Sequence, residues 1–194
     1  MARDNKLTKS IGEHFVCSVL AQVGWAASLT RDGIARTDVL AIHAGSGSMI
    51  QVQVKTSSTW QRPSWLLGAV QLSEQRNEWF VLVALGATER DRPRCFVIPR
   101  DHLAAAVWMG HNAWLHEPGV RPGRRNTPIE RARTGADMLA GYEERWDLLE
   151  MKIIPVLFES KWRERAAEDA SGLPPEHPWR IALPKRWPGP QVAS

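Results

Sequence analysis

Cysteine is scarce in this 194-residue chain, with two, and tyrosine scarcer still, with one. Two cysteines cannot build the disulfide framework of a small secreted domain. Cys17 lies in a helical apolar pattern and Cys95 in a strand-like run, which is the setting of reduced core thiols in a cytoplasmic protein. Long apolar runs are missing too. The longest, Phe80–Ala87, falls far short of the ~20 residues that span a bilayer, and MARDNKLTKS lacks the apolar stretch of a secretory signal. The expectation is a cytoplasmic protein without a membrane partner. No glycine-rich phosphate loop, G-x-G-x-x-G fingerprint or nucleophile elbow is present, so no nucleotide cofactor is expected. The histidines are scattered, with no H-E-x-x-H pair and no cysteine pairs beside them, and no zinc site is read from them. Lysine supplies only six of the 25 basic residues, and the net charge is +4, an average too weak to demand a polyanionic partner.

What the chain does have is an ordinary globular composition, 43% apolar and 24% charged, with ten tryptophans. Residues 9–24 carry Ile11, Phe15, Val16, Val19, Leu20 and Val23 at helical spacing. Strand candidates follow at 26–30, 37–43 and 49–58, the last two joined by the turn Gly45–Ser46–Gly47–Ser48 in a hairpin pattern. A tryptophan-bearing loop at 59–68 leads to strands at 79–86 and 94–99 and a helix over 100–111. Residues 117–135 read as a loop, 137–150 as an amphipathic helix, and 159–169 as a charged helix. Six of 13 prolines fall in the last 23 residues, which are expected to form an extended tail. The order is that of an α/β protein with a mixed sheet. Its expected divisions are a core at 1–112, a basic loop and helical extension at 113–170 packed on that core, and a Pro/Trp-containing tail at 171–194.

The 49–58 strand alternates, with Ile50, Val52 and Val54 on one side and Gln51, Gln53 and Lys55 on the other. In the preceding strand Asp38 shares a face with Leu40 and Ile42. If the turn closes with Gly45 opposite Ser48, Asp38 falls opposite Lys55 and diagonal to Gln53. Diagonal neighbours lie ~7–8 Å apart, near enough for two oxygen ligands to share a cation. The alternative is a plain Asp38–Lys55 cross-strand ion pair, worth under ~1 kcal/mol if exposed. Glu13, just outside the apolar stripe of the first helix, is either a fourth member or a solvated helix charge.

GEHF at 12–15, RTDVLA at 36–41 and QVQVKTS at 51–57 together resemble the PD-(D/E)XK nuclease superfamily. The pattern is similar to its branch of Holliday-junction resolvases and Mrr-type restriction endonucleases, in which a helical Glu precedes a strand Asp and a (D/E/Q)-x-K strand. The likeness covers residues 10–100; small bacterial proteins that share RWDLL, here Arg145–Leu149, extend it to about 150. It implies a restriction-endonuclease-like αβββαβ core, with a mixed sheet flanked by helices, that hydrolyses phosphodiester bonds in DNA, branched or foreign DNA included. It further implies Mg²⁺, with Mn²⁺ as a substitute, held by Asp38, Gln53 and Glu13, with Lys55 orienting the attacking water. A homodimer cutting both strands is implied as well. Gln53 departs from the superfamily carboxylate: a neutral oxygen leaves the site one negative charge poorer. The competing expectation is therefore a non-catalytic nucleic-acid-binding or protein-interaction module on the same fold.

Arg121, Arg124, Arg125, Arg131 and Arg133 face one Glu in their segment, a local charge of +4 that suits a phosphate grip or a merely solvated loop. Arg31 and Arg36 flank the turn before Asp38 as further DNA contacts, and Trp60 and Trp65 are set to stack on unpaired bases or to pack. Trp179 and Trp187 are expected to pin the tail to the body, and the other six tryptophans to belong to the core.

Overall fold

The computed structural model describes residues 5–31, 36–121, 123–168 and 172–184. Helix α1 (Asn5–Gln22) leads into strands β1 (Trp25–Leu29), β2 (Val39–His43) and β3 (Met49–Ser57), then the short β4 (Ser64–Leu66). Strands β5 (Glu78–Ala84) and β6 (Arg94–Pro99) precede helix α2 (Arg100–Leu115). The short strand β7 (Arg133–Gly135) and the helices α3 (Ser160–Ala167) and α4 (Pro178–Ile181) complete the named elements. Among the described residues no helix is long and apolar enough to cross a membrane.

The five-stranded sheet runs β1-β2-β3-β5-β6, antiparallel except for the parallel β3–β5 pair. β5 lies against a neighbour on each side, and all seven of its residues are buried, which explains why it reads as a continuous apolar run and not as an alternation. α1 lies across β1 and β3, where Gly12 meets Thr56 so closely that only a residue without Cβ fits. α2 covers the opposite face: Arg100 lies over the Phe80 ring and reaches Gln53, which pairs with Phe80 on that side. The protein is thus an α/β fold with a mixed sheet flanked by helices.

Two details of α1 and the hairpin differ from expectation. The buried line of α1 is Thr8, Gly12, Val16, Val19 and Leu20, while Ile11 and Val23 face outward, because the close Gly12–Thr56 approach sets the rotation of the helix. The β2–β3 loop closes two residues earlier than expected, with His43 N donating to Ser48 O (2.8 Å) and residues 44–47 as the loop. Ser46 N donates to His43 Nδ1, and Gly47 takes φ +70°, which glycine adopts freely. Register therefore slides by two, pairing Val39 with Val52 and not with Val54, and every face is preserved.

Farther along, β4 pairs with β7, so that residues 59–68 and 117–135 are not pure loop. Trp65 is buried and donates its indole N–H to Val83 O. The amphipathic helix expected at 137–150 is absent. Two 3₁₀ turns, Ala140–Tyr142 and Trp146–Glu150, stand there instead, separated by Glu144 at φ +51°. Glu144 N donates to Cys95 O (2.7 Å) and its carboxylate accepts from Cys95 N, so this segment is stitched to the free edge of β6 with bonds a helix would spend on itself. The tail is not wholly extended: His177 and Trp179 of its short helical turn are buried beside His102, and His177 donates to Asp101 O. Trp187 lies outside the described residues.

Candidate functional site

The sheet forks at Asp38. Its backbone N–H donates to Val52 O and its carbonyl accepts from Thr30 N, both at 2.9 Å, as a strand residue's would. Two residues earlier Arg36 stands at φ +68° and turns the chain away from β3. Val54 N, which would meet the next backbone carbonyl of β2, instead donates to Asp38 Oδ2 (2.8 Å). The carboxylate thus substitutes for main chain in the gap between two diverging strands, and Oδ1 is left for other partners.

Helix α1 supplies those partners. Lys9 and Glu13 are one turn apart, and Lys9 Nζ lies 3.2 Å from Glu13 Oε1 and 3.4 Å from Asp38 Oδ1. Both carboxylates are largely shielded, at 15% and 19% side-chain exposure, whereas Lys9 is more than half exposed. Burial raises the Glu13 pKa above the ordinary carboxyl value, the neighbouring Asp38 charge adds to that rise, and Lys9 opposes it. The Lys9 pKa is raised in turn, chiefly by its bond to Glu13.

The β2–β3 register ends at Val39–Val52, and Asp38 also bonds Val52 O, so β2 diverges before it reaches Lys55, three positions farther along β3. The expected Asp38–Lys55 pair does not form; Asp38 meets β3 at Val52 O and Val54 N instead. Lys55 is half-buried on the Gln53 side of β3.

Gln53 carries a partner that no motif announces. Arg100, the first residue of α2 and 4% exposed at its side chain, donates from Nη2 to Gln53 Oε1 (3.2 Å) and to Arg36 O (3.1 Å). Its Nε lies 2.7 Å from Glu78 Oε2. Glu78 also takes Arg36 Nη2 at 3.0 Å and the amides of Glu74 and Gln75. Burial, then the nearby Arg36 charge, lowers the Arg100 pKa from its usual value. Sequence reading missed Arg100 and Glu78 because they stand 47 and 25 positions from Gln53 and belong to no short pattern.

The oxygens that converge are Asp38 Oδ1 and Glu13 Oε1, which suit a hard divalent cation, while the Gln53 oxygen is held by Arg100 on the α2 side of β3. The two carboxylates already share one cationic atom, Lys9 Nζ, so a positive charge fits between them. Among the described residues no cluster of three His, Cys, Asp or Glu side chains stands ready for a metal, so a cation between these two carboxylates would need further ligands from outside the pair.

No protein-family model matches the chain, and no curated protein does. Among solved structures, a bacterial homing endonuclease aligns with a TM-score of 0.44 and 14% identity, over 76% of this chain and 93% of that one. A likeness at that level assigns no role to any residue.

The expected nucleic-acid contacts fall into two groups. Arg31, Arg121, Arg124 and Arg131 are exposed, as is Trp60 at the mouth of a shallow cleft with Arg92 and Arg94. The others are tied to protein neighbours. Arg36 is engaged by Glu74, Glu78 and Leu72 O. Arg125 pairs with Glu117 and donates to Trp114 O, and Arg133 donates to Ser64. Trp114, expected in the core, is 40% exposed.

Proposed function

We propose that the protein is a metal-dependent endonuclease that hydrolyses phosphodiester bonds in DNA. The observation that carries this reading is the convergence of Glu13 and Asp38, from separate elements, on one cation at a fork beside the Gln53–Val54–Lys55 strand. Asp38 and Glu13 would hold Mg²⁺ or Mn²⁺ with the Gln53 oxygen, and Lys9, on its exposed flexible stem, would withdraw. When bound, the ion lowers the pKa of water and polarises the scissile phosphate. Val54 N fixes the Asp38 carboxylate and Arg100 fixes the Gln53 amide, so that both oxygens are oriented before substrate arrives. Lys55 orients the attacking water and offsets charge growing on the phosphoryl oxygens. Cutting both strands calls for two such sites, and the proposed working unit is a homodimer.

The test is incubation of the purified protein with linear, branched and single-stranded DNA, with and without Mg²⁺ or Mn²⁺. Cleavage should require the metal and fall more than ~100-fold in Asp38→Ala and in Lys55→Ala. Cleavage that persists in both variants refutes the assignment. One observation favours the second reading, a non-catalytic nucleic-acid-binding module: the Lys9 ammonium already bridges the two carboxylates. Metal-independent DNA binding with no cleavage of any substrate selects it.

A further inference from the structure

A second concave site lies at the far end of α2. His111 and Trp114 from the helix, with Arg131 and Arg133 from the segment entering β7, enclose a cleft of about 360 Å³ over a floor of Gly110 and Ala132. That volume is within the range of small-ligand sites. The His111 and Trp114 rings stack at 26° with centroids 5.8 Å apart, so one wall is a shelf of aromatic surface. The Arg125 guanidinium lies over the Trp114 ring, 4.8 Å from its centroid, and Arg125 is itself fixed by Glu117 and by Trp114 O. The rim is cationic. Arg131 is exposed, and among the described residues no ion pair engages it. Among the described residues no carboxylate lines the cleft.

Aromatic shelf, small apolar floor and an uncompensated guanidinium together fit a planar group carrying a negative charge. We infer that the cleft binds an unpaired nucleotide of a DNA strand, the base against His111 and Trp114 and its phosphate at Arg131. The choice of a strand rests on the endonuclease reading, because Arg100 at the other end of α2 touches Gln53. Trp114 follows Arg100 by 14 residues, about 21 Å along the helix at 1.5 Å per residue. That distance is about six phosphates of one B-form strand at ~3.4 Å each. The cleft would hold an unpaired base while the candidate cutting site engages a phosphate several nucleotides away.

The experiment is fluorescence anisotropy in EDTA, where metal-dependent cleavage cannot occur, with labelled twelve-residue oligothymidylate, a duplex of equal length, and thymidine monophosphate as competitor. The single strand should bind more tightly than the duplex. Trp114→Ala should weaken single-strand binding by roughly 5- to 100-fold, the range for loss of base stacking. Arg131→Ala should weaken it and lower the log–log salt slope by about one, with Arg131→Lys restoring most of the slope. Wild-type binding in both Trp114→Ala and Arg131→Ala overturns the inference, and so does competition by the mononucleotide at the affinity of the oligomer. A protein that cleaves nothing yet binds through Trp114 sinks the endonuclease reading alone, while one that cleaves normally and ignores Trp114→Ala sinks the cleft alone.

Discussion

Replacing Gly12 by alanine would place a methyl carbon well inside van der Waals contact of Thr56 Oγ1 and 3.1 Å from Thr56 Cβ. Neither partner is a flexible chain end, so α1 or β3 must move. Overpacking of this kind costs ~2–3 kcal/mol. Against it stands the gain of about 1 kcal/mol for alanine over glycine inside a helix. The net expectation is a loss of ~1–2 kcal/mol, or about 2–8 °C in Tm for a domain of this size. Thr56 supplies the control, because its hydroxyl is buried without a hydrogen-bond partner and removing it orphans nothing. In a Thr56→Ala background the overlap with Oγ1 is removed and only the tight 3.1 Å approach to Cβ remains, so Gly12→Ala should become close to neutral. Urea denaturation of the four proteins gives the coupling energy, expected at ~1–2 kcal/mol. A stabilising Gly12→Ala in the wild-type background, or a coupling under ~0.5 kcal/mol, refutes the packing account. Because Glu13 follows Gly12, metal-dependent cleavage should decline in the single variant and recover in the double.

Two further outcomes follow from the buried polar groups. Arg100→Met removes one partner of a buried pair but leaves Glu78 with Arg36 and two amides. Its cost should therefore fall at or below the lower end of the usual range for breaking such pairs, ~2–3 kcal/mol by urea denaturation, and cleavage should weaken through the released Gln53. A cost under ~0.5 kcal/mol would show that the Arg100–Glu78 pair contributes little to stability. His102 packs against Tyr142 and Trp179, and burial, with a smaller push from His177, holds its pKa down to about 3. The unfolded chain, with a histidine pKa near 6.5, takes up a proton that the folded one refuses. Stability should therefore fall as pH drops from about 6.5 towards 3, by up to ~1.4 kcal/mol per unit. His102→Gln should remove that part of the slope of Tm against pH, and parallel slopes would contradict the assignment.

The sheet was legible where alternation or β-branched runs speak for themselves: β3 and β6 fall within a residue of expectation, and β5 is offset by one to two residues. Faces survived the register slip because a shift of two conserves parity. The slip itself was hidden in a side chain, His43 Nδ1 accepting from Ser46 N, which closes the loop early. Residues 137–150 have helical periodicity, yet Gly141 sits 2.9 Å (as a would-be Cβ) from Leu157 Cβ, and Glu144 gives its main chain to Cys95. Contacts made by distant residues outweighed local propensity there. At the candidate site, Glu13, Asp38, Gln53 and Lys55 were singled out by spacing. Lys9, Arg100 and Glu78 were not, since nothing in one dimension says that a helical lysine reaches a strand aspartate or that a helix begins beneath a glutamine.

The β4–β7 ribbon has a cost in time. Its three residue pairs join positions 67 to 71 apart in the chain, from Ser64–Gly135 to Leu66–Arg133. So few bonds cannot repay the closure entropy of so long a loop until α2 and the β5–β6 hairpin have docked and drawn its ends together. Ribbon formation therefore belongs to the end of folding, and its loss to the first sub-global opening. The amides of β7 should exchange with solvent at a lower free energy than those of β5, and the aromatic shelf at 111–114 should lose its facing wall whenever they do.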